Sequence, residues 1–199
     1  MDIYQLYTII LFVLYFGIVL GFRAFLLYRT TGINPLKGFG KKSKKGFTEK
    51  LIQFGLLLML IIGINYCFLP SNYSYLLPFR FLEIETLNTA GFIIALIGLL
   101  VAFIAQIQMR DSWRIGIHDL NKSELITTGL FKYSRNPIYV ALLLFFFGFL
   151  LLIPNLASLF LFILMVYALH EKIKDEESYL KAVFKNEYAE YTKNVSRWI

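Results

Sequence analysis

The chain has 199 residues, 58% of them hydrophobic, and a net charge of +7. An apolar share this large, gathered into blocks of bilayer length, excludes an ordinary soluble domain and turns the basic balance toward a membrane surface and away from nucleic acid. The single cysteine, Cys67, excludes an internal disulfide framework.

The first apolar block covers residues 3–22, and twenty helical residues span about 30 Å, the thickness of the hydrocarbon layer. It has no basic start and no small-residue cleavage site, so it reads as an anchor, not a removed signal. The second and third blocks cover residues 51–69 and 87–105. The fourth, 138–153, runs into Pro154-Asn155, and the fifth, 156–169, follows at once. Both are short, and the Pro-Asn turn between them predicts a helical hairpin. Beyond it, Ile173, Leu180, Phe184, Tyr188 and Tyr191 share one face at helical spacing. That predicts an amphipathic helix continuing from the fifth span, laid on the membrane or over the hairpin. The expected fold class is an all-α integral membrane protein of about five transmembrane helices, the last two a hairpin, plus a C-terminal cytoplasmic amphipathic helix. A single domain over residues 1–199 is expected, with three spans in 1–108 and a more polar half in 109–199.

Basic residues set the expected orientation. Loop 28–50 holds seven Lys or Arg, loop 109–136 five and the tail 171–199 six, whereas loop 70–86 holds only Arg80. By the positive-inside rule the N-terminus lies outside, and the two basic loops and the C-terminus are cytoplasmic. The KKSKK run at 41–45 reads as a topology signal able to meet anionic lipid. Gln53 and Asn65, polar groups within a span, are expected to face the protein interior.

A hairpin would bring Arg135, just before the fourth span, beside Glu176 and Glu177, just after the fifth. One guanidinium and two carboxylates at one mouth make either an interfacial salt bridge or a pocket for a zwitterion, a cation for a carboxylate and an anion for an ammonium. No metal centre is expected, because His118 and His170 lie far apart in sequence and the lone cysteine sits among the early spans. His170 ends the fifth span, as an interfacial residue or as one that shapes the pocket or accepts a proton. Arg110 and Arg114, one helical turn apart, would hold an anionic head group. Trp113 between them also reads as an interfacial anchor. Lys172 reads as a solvated cation near the acidic pair.

The same residues carry a family resemblance. LITTGLFKYSRNPIY at 125–139, a hydrophobic hairpin, and then DEESYLKAVFKNEYAEYTKNVSRWI from 175 resemble the isoprenylcysteine carboxyl methyltransferase and phospholipid methyltransferase superfamily of integral membrane enzymes. The resemblance rests on Leu125, Thr128, Gly129, Arg135, Pro137 and Tyr139, then on Glu176, Glu177 and Leu180, then on Tyr188 and Tyr191. MRDSWRIGI at 109–117 resembles a segment common in bacterial members. The match covers about the C-terminal half of the chain. It implies an enzyme that transfers a methyl group from S-adenosyl-L-methionine to a lipophilic or membrane-embedded acceptor: a carboxylate, an amine or a thiol. The cofactor would sit at the cytoplasmic end of the last two spans, under the tail helix. The resemblance assigns it Leu125, Thr128, Gly129, Arg135, Asn136, Pro137, Tyr139, Glu176, Glu177, Tyr188 and Tyr191. Arg135 would meet the carboxylate and Glu176 or Glu177 the ammonium, with Arg135 and Glu177 the pair on which catalysis depends. Arg110, Trp113, Arg114 and His170 would serve the substrate.

This sequence departs from the family pattern at three places. Asn136 stands where the family has His, so that position cannot titrate near neutral pH and is not an essential base. Asn186 replaces a Gly and Phe131 a Tyr. Two other readings compete: an NADPH-dependent membrane reductase of sterol-reductase-like architecture, and a non-enzymatic membrane scaffold. The short chain and the double Glu favour the methyltransferase, since carboxylates repel phosphates. The expected partners are the bilayer and a lipophilic substrate, with no nucleic acid. Oligomeric state is not legible, because lipid-facing and helix-facing surfaces look alike in composition.

Overall fold

The computed structural model describes residues 2–32, 44–109 and 124–198. Arg110, Trp113, Arg114 and His118, and residues 41–43 of the basic run, lie outside the described residues.

Helix α1, Ile3–Phe12, starts at an Asp2 cap whose carboxylate accepts from the Gln5 N–H at 2.8 Å while the Gln5 side chain answers the Asp2 N–H at 2.9 Å. Such a reciprocal box satisfies two of the donors that every helix start leaves open. The helix continues through a wider π-helical stretch, Val13–Phe22, into α2, Arg23–Thr31, and stops at Gly32 with φ +67. A left-handed residue after the last turn is the usual glycine stop. Helix α3 is Lys44–Phe68, α4 is Glu85–Gln108, α5 is Pro137–Leu152 and α6 is Leu156–Asn194. Among the described residues there is no strand, only one isolated bridge between Pro78 and Asn155. The all-α expectation is therefore met. Among the described residues, four stretches are long and apolar enough to cross a bilayer: Ile3–Leu26, Gly46–Phe68, Glu85–Gln108 and Leu156–Asn194. Pro137–Leu152 is a shorter apolar helix that packs beside them.

The hairpin forms as its residues predict. Asn155 caps α6 by accepting from the Ser158 N–H at 2.8 Å. The turn is pinned from outside: the Phe79 N–H donates to the Pro154 carbonyl, and the Leu156 N–H to the Leu77 carbonyl. As expected, the tail helix continues directly from the fifth apolar block: α6, Leu156–Asn194, carries both and is kinked at Lys185.

The tightest packing joins α4 to α5. A Cβ on Gly98 would lie 2.6 Å from the Ala141 carbonyl oxygen, and one on Gly91 would lie 2.5 Å from the Leu152 nitrogen. Gly148 on α5 meets the backbone of Ala95 and Gly91 in the same way. Small residues let two backbones touch, the usual basis of helix association where lipid removes the hydrophobic drive. Phe145, Phe146 and Phe149 fill the centre, with the Tyr15 ring stacked on Phe145 at 4.8 Å. Outward rows such as Ile93, Ile97, Leu100, Ile104 and Ile107 stay exposed, as lipid-facing residues do. The polar residues within α3 do not turn inward as expected. Gln53 is exposed, and Asn65 bonds back to the Ile61 carbonyl of its own helix.

Candidate functional site

The motif before α5 is built as a compact turn. Gly129 has φ +64, and a Cβ there would come within 2.5 Å of the Gln108 side-chain amide. Glycine thus answers two demands at one position, a left-handed backbone and a close neighbour. The Gln108 side chain in turn accepts from the Leu130 N–H at 2.8 Å. The Gly129–Lys132 turn leads to Ser134, Arg135 and Asn136, and Pro137 opens α5 at a position where its missing N–H costs nothing.

Arg135 and Glu177 meet. One Arg135 terminal nitrogen lies 3.2 Å from the Glu177 carboxylate, with both side chains mostly covered. The Arg135 Nε is buried and makes no hydrogen bond. Glu177 also accepts from the Asn136 amide at 3.4 Å. Its strongest partner is a residue the sequence reading left without a role. Arg197 donates from Nη2 to Glu177 Oε2 at 2.6 Å and from Nε to Oε1 at 3.2 Å, a bidentate charge-assisted pair.

Arg197 arrives through a bend. Lys185 has φ 42 and ψ −109 inside α6, and the chain after it folds back. The left-handed residue stands one position before Asn186, where the family has Gly. After the bend the Tyr191 hydroxyl donates to the Phe131 carbonyl at 2.6 Å, holding the returning helix on the motif turn. The strap that follows docks directly on the motif. The Arg135 N–H donates to the Ser196 carbonyl, and the Ser134 hydroxyl and Asn136 amide both donate to the Arg197 carbonyl.

These elements enclose a cavity of about 450 Å³ lined by Arg135, Lys174, Glu177, Ser178, Lys181, Tyr188, Ala189, Thr192 and Arg197. The Tyr188 hydroxyl is buried there with no hydrogen-bond partner, and burial pushes its phenol above the ordinary range, so it stays protonated. Two orphaned polar atoms, Arg135 Nε and Tyr188 Oη, on residues that line one cavity are unusual in a settled protein interior.

Glu176 does not join Glu177. Adjacent helical residues point about 100° apart, and Glu176 turns away from the cavity toward the base of α5, where the Tyr139 hydroxyl donates to it. Desolvation raises the Glu176 carboxyl above its ordinary value, opposed by Tyr139 and by Lys172. Lys172 is not the solvated neighbour expected from sequence. It is buried and pairs with Glu49 of α3 at 3.5 Å.

Of the residues assigned to the cofactor, then, Arg135, Glu177 and Tyr188 line one cavity, and Asn136 touches Glu177. Leu125, Thr128, Gly129, Pro137, Tyr139, Glu176 and Tyr191 lie outside its lining. His170 lies in a separate apolar trough of about 410 Å³ with Leu143, Ile163, Val166, Tyr167 and Trp198, its ring stacked with the Trp198 indole at 6.4 Å. Among the described residues no group of three His, Cys, Asp or Glu is placed to hold a metal. Ser134, Lys174, Lys181 and Arg197 are site residues the sequence did not single out. Lys174 and Lys181, three and four residues from Glu177, share its helix face by spacing, whereas no spacing links Arg197 to Glu177.

The sequence profile of the phospholipid methyltransferase family matches residues 86–187, just over half of the chain. The protein-S-isoprenylcysteine O-methyltransferase of Schizosaccharomyces pombe is 31% identical over 125 residues, which cover 61% of this chain and 52% of that protein. The chain thus aligns with about half the length of that relative. The profile match holds α4, the motif turn, Arg135 and Glu177, and it ends before Tyr188 and Arg197. On that match, and on the helical membrane architecture that carries it, the chain belongs to the phospholipid methyltransferase family.

Proposed function

We propose that this chain is a membrane methyltransferase that uses S-adenosylmethionine and acts on a lipophilic acceptor. The observation that carries the reading is the Arg135–Glu177 pair on the wall of a cavity that also holds two unpartnered buried polar atoms. An amino-acid group needs both charges, a guanidinium for its carboxylate and a carboxylate for its ammonium. The Arg135 Nε and the Tyr188 hydroxyl have hydrogen-bonding capacity to spare for it. Bound there, S-adenosylmethionine would supply a methyl group already activated on a sulfonium. The chain's task is then to position two reactants and exclude water, with no metal called for. Arg135 and Glu177 would fix the amino-acid end. Tyr139 and Glu176, bonded to each other beneath the site, would hold the start of α5 against α6. Asn136 cannot serve as a base, so an acceptor that attacks as an anion asks least of this site.

The relative from fission yeast is named for an isoprenylcysteine acceptor and the family for a phospholipid. Both are lipophilic, and the reading stays at that level. The same reading puts residues 1–199 in one domain and the cavity on the cytoplasmic side with the basic loops.

Calorimetric titration of the detergent-purified protein with S-adenosylhomocysteine tests the reading, beside Arg135→Ala and Glu177→Gln. Binding that both variants weaken by about tenfold or more supports it. A folded protein that does not bind sinks it. One observation favours the reductase alternative: Arg135, Lys174, Lys181 and Arg197 surround a single carboxylate, a charge balance that suits phosphate. NADPH in the same titration decides between the two.

A further inference from the structure

Among the described residues that line the cavity Glu177 is the only acid, and it is already taken. Arg197 holds it with two nitrogens while Arg135 holds it with one. A ligand ammonium therefore has no free carboxylate to meet among the cavity's lining residues. We propose that Arg197 stands in for that ammonium, and that the strap Val195–Trp198 is released when an amino-acid ligand takes Glu177. This rests on the reading that the cavity receives the amino-acid end of S-adenosylmethionine.

Three observations make the exchange feasible. Arg197 is the more exposed of the two guanidiniums, at 36% against 14% for Arg135. Replacing one cation by another leaves the charge at Glu177 balanced, so no buried charge is stranded. The strap's other ties, from Arg135 N–H, the Ser134 hydroxyl and the Asn136 amide, are neutral hydrogen bonds to two carbonyls. Water can replace such bonds at modest cost.

The strap has a second face. Arg197 lines the charged cavity, while the next residue, Trp198, lines the apolar trough and stacks on His170. Residues 196–198 thus form part of the wall between a charged chamber and a trough that opens between α5 and α6. Movement of Arg197 off Glu177 pulls on Trp198 directly. The device orders events: the amino-acid ligand enters first, and the wall toward the trough loosens afterwards.

A ligand that must displace Arg197 binds with an affinity reduced by the fraction of molecules in which the strap is already open. Removing the competitor removes that reduction. In calorimetry, Arg197→Ala and Arg197→Gln should bind S-adenosylhomocysteine about threefold or more tightly than the unaltered chain. An analogue of it lacking the amino group should show no such gain. Trp198 emission, taken as the difference between the unaltered protein and Trp198→Phe, should shift on titration with S-adenosylhomocysteine and stay still with the deaminated analogue. Two substitutions guard against one of them failing to fold. If the unaltered protein binds but both Arg197 variants bind equally or more weakly, or Trp198 stays silent, the strap proposal is overturned and the cofactor reading stands. If the unaltered, folded protein binds nothing, the cofactor reading falls and takes the strap with it.

Discussion

The α4–α5 seam and the polar end of α6 are joined by opposite means. At the seam, glycine and alanine let two backbones meet, and position is fixed chiefly by close packing. At the end of α6, position is fixed by charge: Glu177 sits between two guanidiniums, and Lys172 between Glu49 and the neighbourhood of Glu176. A seam held by volume cannot give way without breaking. A cluster held by exchangeable ion pairs can trade partners. The fold therefore keeps its rigid joint under the motif and leaves the adjustable contacts at the cavity.

The largest effect should come from filling the seam. Gly148→Leu drives a side chain into the backbone of Ala95 and Gly91, and backbone cannot step aside. A loss of about 3 kcal/mol is expected, seen as a collapsed melting temperature and poor recovery from detergent. Gly17, with nothing within 4 Å of its would-be Cβ, is the matched control. Gly17→Leu should change stability by no more than about 0.5 kcal/mol. Equal damage at the two positions would mean that close packing is not what holds the seam.

The two adjacent glutamates divide the charged end more finely. Glu177→Gln keeps the volume and removes the charge that both guanidiniums share, so binding of S-adenosylhomocysteine should weaken by about 2 kcal/mol, about thirtyfold in affinity. Glu176→Gln can still accept from Tyr139 and should bind almost as the unaltered chain does. Its signature lies in pH. The folded protein raises the Glu176 carboxyl above its ordinary 4.5 by burial, so the protonated form is the one the fold favours. Its stabilising share is complete below 4.5 and is lost as pH rises through the raised value. Against Glu176→Gln, the unaltered protein should therefore lose relative melting temperature on going from acid toward neutral pH. A constant difference across that range would put the carboxyl in water.

How much of this was legible in the sequence follows from how local each cause is. Span lengths, the Pro154-Asn155 turn and the Asn155 cap depend on neighbours in the chain, and the apolar blocks announced them. The meeting of Arg135 with Glu177 followed from the hairpin, since one turn fixes both ends. The split between Glu176 and Glu177 was not legible, because it depends on which face of α6 packs against α5. Lys172 pairs with a residue 123 positions away, and no local pattern holds that. Arg197 reaches Glu177 only because the chain bends at Lys185, a residue type that seldom takes a positive φ. The sequence reading therefore counted Arg197 only among the basic residues of the tail.

The smallest effect returns to the seam, where one polar side chain interrupts the glycine packing. Asn88, buried near the start of α4, donates from its amide to the carbonyls of Leu151 at 3.1 Å and Leu152 at 3.0 Å. Those carbonyls end α5, where a helix has no partners of its own to offer. Volume and hydrogen bonding predict different things here. If Asn88 only fills space, Asn88→Asp should be harmless and Asn88→Ala worse. If it serves as a donor, Asn88→Ala should cost about 1 kcal/mol. Asn88→Asp, which sets an acceptor against two acceptors, should cost more than Ala. Melting temperatures of the two variants in one detergent rank them directly. The order Asp below Ala below the unaltered chain makes Asn88 the single point at which the seam borrows the chemistry of the charged end, and the reverse order returns the whole seam to packing alone.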